Sequence, residues 1–216
     1  MKKIFELAQN LQNLNRIKRA GGNLAIGLPT SMNLSIAEHS YSVTYLAMLF
    51  ADVLGDKEVS VEKVLRYALT HDWREMIVGD IPAGSPSYAS FWGINIREEV
   101  GKAGDKAMEE ILESIKEEVD IDLYKSNLND KEKQIIKTAD WVAYLLEMQE
   151  WKYLGYNHEG WEMIWFNTLN IVEKIELPFI PNLISEIKES YKRGTKRPSP
   201  WLAKASKQVN PEHKLN

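Results

Sequence analysis

The chain has 216 residues, 44% of them apolar and 27% charged, a balance that suits one globular domain with a sizeable core. A net charge of −4 and the absence of cysteine exclude a generic nucleic-acid or membrane-surface binder, a disulfide framework and any thiolate metal site. The N-terminal MKKIFELAQN lacks the apolar run of a signal peptide, and the longest apolar stretch, Tyr45 to Phe50, is far short of a bilayer span, so a cytoplasmic location is expected.

Helical periodicity dominates, with no period-two run between turn signals, so the fold class is all-α. The pattern predicts helices over 3–19, 35–54, 60–73, 95–118, 130–154, 160–175 and 180–193. Ser35 with Glu38 resembles a capping box opening the second, and Asp130-Lys131-Glu132 opens the fifth. Two irregular stretches, Ala20 to Leu34 and Val78 to Gly93, hold many of the glycines and prolines. Both abut the candidate site, and either can form a wall of a pocket.

The aromatic pattern of Trp151, Trp161, Trp165 and Phe166 offers a homodimer contact, with core packing as the equal alternative. Residues 1–193 read as one domain. Residues 194–216 carry five Lys or Arg, one acid and three prolines, which predicts a basic, extended tail. Trp201 is the one residue in it that argues for docking.

The chemistry starts from helical phase. In the second helix Ile36, Val43, Leu46, Phe50 and Val53 make a buried stripe, and His39 lies within it. In the third, Val61, Val64, Leu65, Ala68 and Leu69 lead into His71 and Asp72. In the fifth, Ile135, Ile136, Ala139, Ala143 and Leu146 enclose Asp140. Each of these polar residues alone reads as an ordinary hydrogen-bonded core group. Together, two imidazoles and two carboxylates aimed at one interior call for a compensating cation, because buried carboxylates are costly. The set therefore predicts one divalent-metal site.

Four protein ligands leave open positions on an ion that prefers six, so water and substrate can enter. Mn²⁺, Co²⁺, Fe²⁺ or Ni²⁺ suits the mixed nitrogen and oxygen set; Mg²⁺, less natural with two histidines, and Zn²⁺ are the alternatives. Such an ion activates water toward phosphorus and offsets phosphoryl charge. The reaction also wants an acid, a base and a cation. Glu75 and Asp80 are the candidate carboxylates, and Arg16 and Arg19, three apart on the first helix, are the candidate cations. The plain alternatives are a surface ion pair for Glu75, a turn-capping role for Asp80 and solvation for both arginines.

The order His39, His71-Asp72, Asp140 resembles the H…HD…D signature of HD-domain phosphohydrolases, and IAEHS, HDWREMIVGDIP and KTADWVAYL are similar to the branch that acts as 5′-deoxyribonucleotidases. The likeness runs from about Leu11 to Leu146. It implies a single HD-domain bundle of about six to eight helices and one divalent ion on His39, His71, Asp72 and Asp140. It further implies Glu75 and Asp80 as catalytic carboxylates and Arg19 as the 5′-phosphate ligand. One departure stands out. In several family members a tryptophan follows that arginine and packs where a 2′-hydroxyl would sit, whereas here Ala20 and Gly21 follow. Trp73, Phe91 or Trp92 is the replacement wall, with core packing the alternative for Trp73.

The implied activity is hydrolysis of (deoxy)nucleoside 5′-monophosphates to nucleoside and phosphate, with a small-molecule nucleotide as partner and neither nucleic acid nor membrane. Dinuclear phosphodiesterases need further paired histidines, and only the separate His158 and His213 remain. Hydrolysis of polyphosphate nucleotides or diesters at the same site is the first alternative. A metal- and nucleotide-binding protein without turnover is the second.

Overall fold

The computed structural model describes residues 1–20, 27–81, 96–125, 127–156 and 159–193. Among them the fold is all-α, with no strand beyond one isolated bridge. Phe91, Trp92, His158, His213, Trp201 and the expected tail over 194–216 lie outside the described residues. No helix among the described residues is long and apolar enough to cross a membrane.

Helix α1, Lys2–Leu11, continues only as a tight turn over Gln12–Asn15. The helix expected to reach residue 19 therefore ends early, because the chain finds a distant partner. Lys18 bridges antiparallel to Ser35, the Arg19 N–H donates to the Leu34 carbonyl at 2.9 Å, and the Ile36 N–H donates to Ile17 at 3.0 Å. Arg16 and Arg19 consequently share no helix face. Arg16 is exposed and donates to Asn13 Oδ1 at 3.2 Å, whereas the Arg19 side chain is 15% exposed.

Helix α2, Ile36–Leu54, starts on the full Ser35–Glu38 capping box and stops at Gly55, whose φ of 59° a side chain would strain. Helix α3, Val61–Thr70, is capped by Ser60, and the short α4, Glu75–Val78, follows it. Helices α5, Ile96–Ile115, α6, Asp130–Tyr153, α7, Glu159–Glu173, and α8, Ile180–Arg193, complete the chain. The cap of α6 is Asn129 rather than Asp130, in a second capping box with Glu132.

Helices α2, α3 and α6 pack on one another and carry the core that positions the site. Ala47, Ala68 and Ala139 are fully buried among Val43, Val64 and Ile135, and small side chains at helix contacts let axes approach closely. The polar groups beside them are thereby brought within reach of each other. Three expected core positions instead face solvent: Val53 at 68%, Leu69 at 51% and Leu146 at 39% exposed. Each lies near the end of its stripe, and on α6 the buried places go to Leu145 and Met148, because that helix is covered by both α2 and α7.

Trp151, Trp161 and Trp165 are core residues of this chain, and Trp161 and Trp165 stack at 5.3 Å between ring centres. Core packing accounts for them, and only Phe166 of that group is exposed. A second small cluster joins Leu7 of α1 to Ile111 and Ile115 of α5, with Trp73 and Met76 packed against it. It anchors the segment just beyond His71-Asp72. Trp73 is thus a packing residue, tilted against Tyr124 at 5.8 Å.

Candidate active site

The phase of α2 buries His39 to 1% exposure, with Nε2 turned toward α3 and α6. Helix α3 ends at Thr70, and the chain turns tightly, the Trp73 N–H donating to Thr70 and the Glu75 N–H to Asp72, each at 3.0 Å. His71 sits at the helix end with Nδ1 2.8 Å from the Ala68 carbonyl. This leaves its Nε2 for the interior.

The donor atoms converge. Asp72 Oδ2 is 3.1 Å from His71 Nε2 and 3.8 Å from His39 Nε2, while Asp140 Oδ1 is 3.1 Å from His39 Nε2. His39, His71 and Asp140 each offer one ligand atom within 4.8 Å of the others, a group that could hold a metal ion. His39 Nε2 is buried and makes no hydrogen bond of normal geometry among the described residues. A buried ring nitrogen flanked by two carboxylate oxygens, with no well-aligned hydrogen bond to either, fits a cation between them.

The protonation of the cluster follows from its contacts. Burial lowers the pKa of His39, although Asp140 pulls the other way. Burial also acts to lower His71, but its bond to Asp72 and the charges of Asp72 and Asp140 outweigh it, and the net shift is upward. Asp72, despite burial, is held down at about 2 by His71, with His39 and Arg19 adding to the effect. Asp140 is lowered in the same way, chiefly by His39.

Glu75 opens α4, and its Oε2 is buried with no hydrogen-bond partner among the described residues. Burial, then the charges of Asp72 and Asp80, push its pKa up to about 8. A carboxyl poised in this range can both give and take a proton near neutral pH. Gly79, with φ of 73°, turns the chain after α4 and delivers Asp80. Asp80 Oδ2 accepts the backbone N–H of Ala20 at 2.5 Å. The described ends of the two irregular stretches therefore meet at the site.

Arg19 lies next to that contact, with its Nε 3.6 Å from Glu147 Oε2 and its guanidinium carbon 5.9 Å from the centre of the Tyr144 ring. Its charge is felt by His39, Asp72, Glu75 and Asp140 alike. Of the residues marked in the sequence, His39, His71, Asp72, Asp140, Glu75, Asp80 and Arg19 come together, and Arg16 does not. Tyr144 and Glu147 were not marked. The available signal was their place four and seven residues after Asp140, on the same side of one helix.

Comparison with known proteins places the sequence in a family. The sequence matches the YfbR-like 5′-deoxynucleotidase family over residues 6–191. The chain belongs to that family. This YfbR-like protein is 26% identical over 159 residues to human 5′-deoxynucleotidase HDDC2, spanning 71% of the chain and 70% of the human protein. It is 27% identical over 132 residues to 5′-deoxynucleotidase VV1113 of Vibrio vulnificus, spanning 58% of the chain and 66% of that protein. Two solved archaeal structures share the fold of the YfbR-like chain. PH0347 from Pyrococcus horikoshii superposes with a TM-score of 0.68 at 24% identity, and a conserved hypothetical protein from Pyrococcus furiosus with 0.65 at 28%, each covering 86% of this chain and 99% of the other.

Proposed function

We propose that this protein is a metal-dependent phosphomonoesterase that hydrolyses (deoxy)nucleoside 5′-monophosphates to nucleoside and phosphate in the cytoplasm. The observation that carries the reading is the convergence of His39, His71, Asp72 and Asp140, with Glu75 buried close by, in a member of a family whose relatives are named 5′-deoxynucleotidases. His39, His71, Asp72 and Asp140 would hold the ion, with Mn²⁺, Co²⁺, Fe²⁺ or Ni²⁺ matching two imidazoles and two carboxylates best. When bound, a divalent ion lowers the pKa of water and offsets charge on phosphoryl oxygens.

The chain's own groups do the rest. Arg19 binds the non-bridging oxygens of the 5′-phosphate, and its planar guanidinium can meet two of them at once. Asp80, held by the Ala20 N–H through Oδ2, orients the attacking water and takes its proton. Glu75 gives its proton to the 5′ oxygen as the P–O5′ bond breaks and the new P–O bond forms, so the nucleoside leaves as an alcohol.

Phosphate release from a panel of mononucleotides with Mn²⁺ or Co²⁺ tests the reading, comparing wild type with Asp72→Ala. Release by the wild type alone supports it. Equal rates in both proteins, or pyrophosphate or a nucleoside monophosphate as product from larger nucleotides only, would overturn it.

A further inference from the structure

We propose that Glu147 is a positioning residue for Arg19, fixing the guanidinium in the orientation that receives the 5′-phosphate. The proposal rests on the reading above that Arg19 contacts that phosphate.

Asp140, Tyr144 and Glu147 follow each other at i, i+4 and i+7 on α6, so a single helix edge carries a metal-site carboxylate, an aromatic ring and a second carboxylate. Glu147 is 6% exposed. Its two oxygens have different partners. Oε1 accepts the Leu34 N–H at 3.3 Å, and Oε2 faces Arg19 Nε at 3.6 Å while accepting no hydrogen bond of normal length among the described residues.

Arg19 is held at both ends. Its backbone N–H is bonded to Leu34 and its carbonyl accepts the Asn33 side-chain amide at 2.8 Å, which ties the main chain to the segment before α2. Its side chain is then set by Tyr144 and Glu147 on α6.

A buried carboxylate is not needed for the Leu34 contact, since a neutral amide oxygen would accept the same N–H. Its charge has a second partner in Arg19, whose own charge works against the rise that burial gives the Glu147 pKa. Arg19 stands in the field of a site built to hold a dication, which would drive a guanidinium away, and the Glu147 carboxylate 3.6 Å from its Nε opposes that displacement. An arginine fixed before substrate arrives loses less side-chain freedom on binding phosphate.

The test uses the full chain with Glu147→Gln, which keeps the oxygen facing Leu34 and removes the charge, beside Glu147→Asp, Arg19→Ala and the Arg19→Ala/Glu147→Gln double variant. Steady-state kinetics are read with Mn²⁺. Binding of thymidine 5′-monophosphate is measured by calorimetry on chelator-treated protein, where no turnover occurs. The expected result for Glu147→Gln is a KM raised about tenfold with kcat changed about twofold or less, and metal-free nucleotide binding weakened by the same factor. Mn²⁺ affinity should stay put, Glu147→Asp should recover part of the loss, and Glu147→Gln should add nothing in the Arg19→Ala background.

A lowered melting temperature with unchanged KM and nucleotide binding, while Arg19→Ala weakens both, overturns the positioning role and leaves the role of Arg19 standing. Unchanged values in Arg19→Ala itself overturn the phosphate assignment and this proposal together.

Discussion

His71 Nδ1 lies 2.8 Å from the carbonyl oxygen of Ala68, one turn back on the same helix. That carbonyl belongs to the last turn of α3, where main-chain acceptors have no helical donor, so the imidazole N–H satisfies it. In the neutral ring the proton is thereby placed on Nδ1 and the lone pair on Nε2, the atom that faces Asp72 at 3.1 Å. The helix end selects the tautomer that a cation requires.

Ion binding should strengthen as pH rises through the histidine range. Burial lets His39 lose its proton at a lower pH than an isolated histidine, whereas the Asp72 contact keeps His71 protonated to a higher one. Ligation needs the neutral ring, so the proton on His71 competes with the ion. Calorimetric Mn²⁺ titrations should show affinity falling about tenfold per pH unit below the His71 pKa. A flat profile from pH 5.5 to 7.5 would contradict the assignment of His71.

Metal-free protein should lose stability as pH rises between about 4.5 and about 8. Glu75 keeps its proton in the folded chain to about 8 but releases it near its ordinary 4.5 once unfolded. Over that interval the folded state binds the extra proton, so raising pH favours unfolding. Glu75→Gln mimics the neutral form. After chelation it should match wild type in melting temperature at pH 5 and exceed it by roughly 3–5 °C at pH 8.5. Identical melting curves at both pH values would mean that Glu75 is not held neutral.

The extent to which this site was legible follows from distance along the chain. His39, His71 and Asp140 were readable because each sits in a local 3.6-residue pattern whose neighbours Val43, Ala68 and Ala139 are core residues. The end of α1 was not, since Lys18 leaves the helix to pair with Ser35, and that bridge has no local period. For the same reason the Arg19–Glu147 pair, formed between the start of the chain and α6, could not be read as a pair: the helical phase of Glu147 gave its side of α6 but not its partner. Val53, Leu69 and Leu146 misled because apolar periodicity marks a face and says nothing of where its cover stops.

Glu132 should be among the most costly surface-distant polar residues to remove. It is 1% exposed, and its carboxylate accepts the Ser60 N–H at 2.8 Å and the Asn129 N–H at 2.9 Å. One side chain thus joins the capping residues of α3 and α6, the helices that carry His71-Asp72 and Asp140. Glu132→Ala strands both donors, at roughly 2–4 kcal/mol. Urea denaturation should show that loss, with Glu132→Gln losing less. A change below about 0.5 kcal/mol, the level of an ordinary surface substitution, would show that the caps are independent.

Sugar selectivity should be weak and open to repair at Ala20. In relatives with the arginine–tryptophan pair the indole packs where a 2′-hydroxyl would sit, but here the residue after Arg19 contributes to the site through its backbone, the N–H bonded to Asp80. A missing apolar wall changes discrimination by about 1–3 kcal/mol. The kcat/KM values for deoxyadenosine and adenosine 5′-monophosphates should therefore lie within about tenfold of each other. Ala20→Trp leaves the backbone donor in place, so Asp80 stays anchored while the wall is rebuilt. The variant should widen the ratio by about tenfold or more, with most of the change in the ribonucleotide. A wild type that already rejects the ribonucleotide by more than about a hundredfold, with no gain in Ala20→Trp, would show that another residue guards the 2′ position.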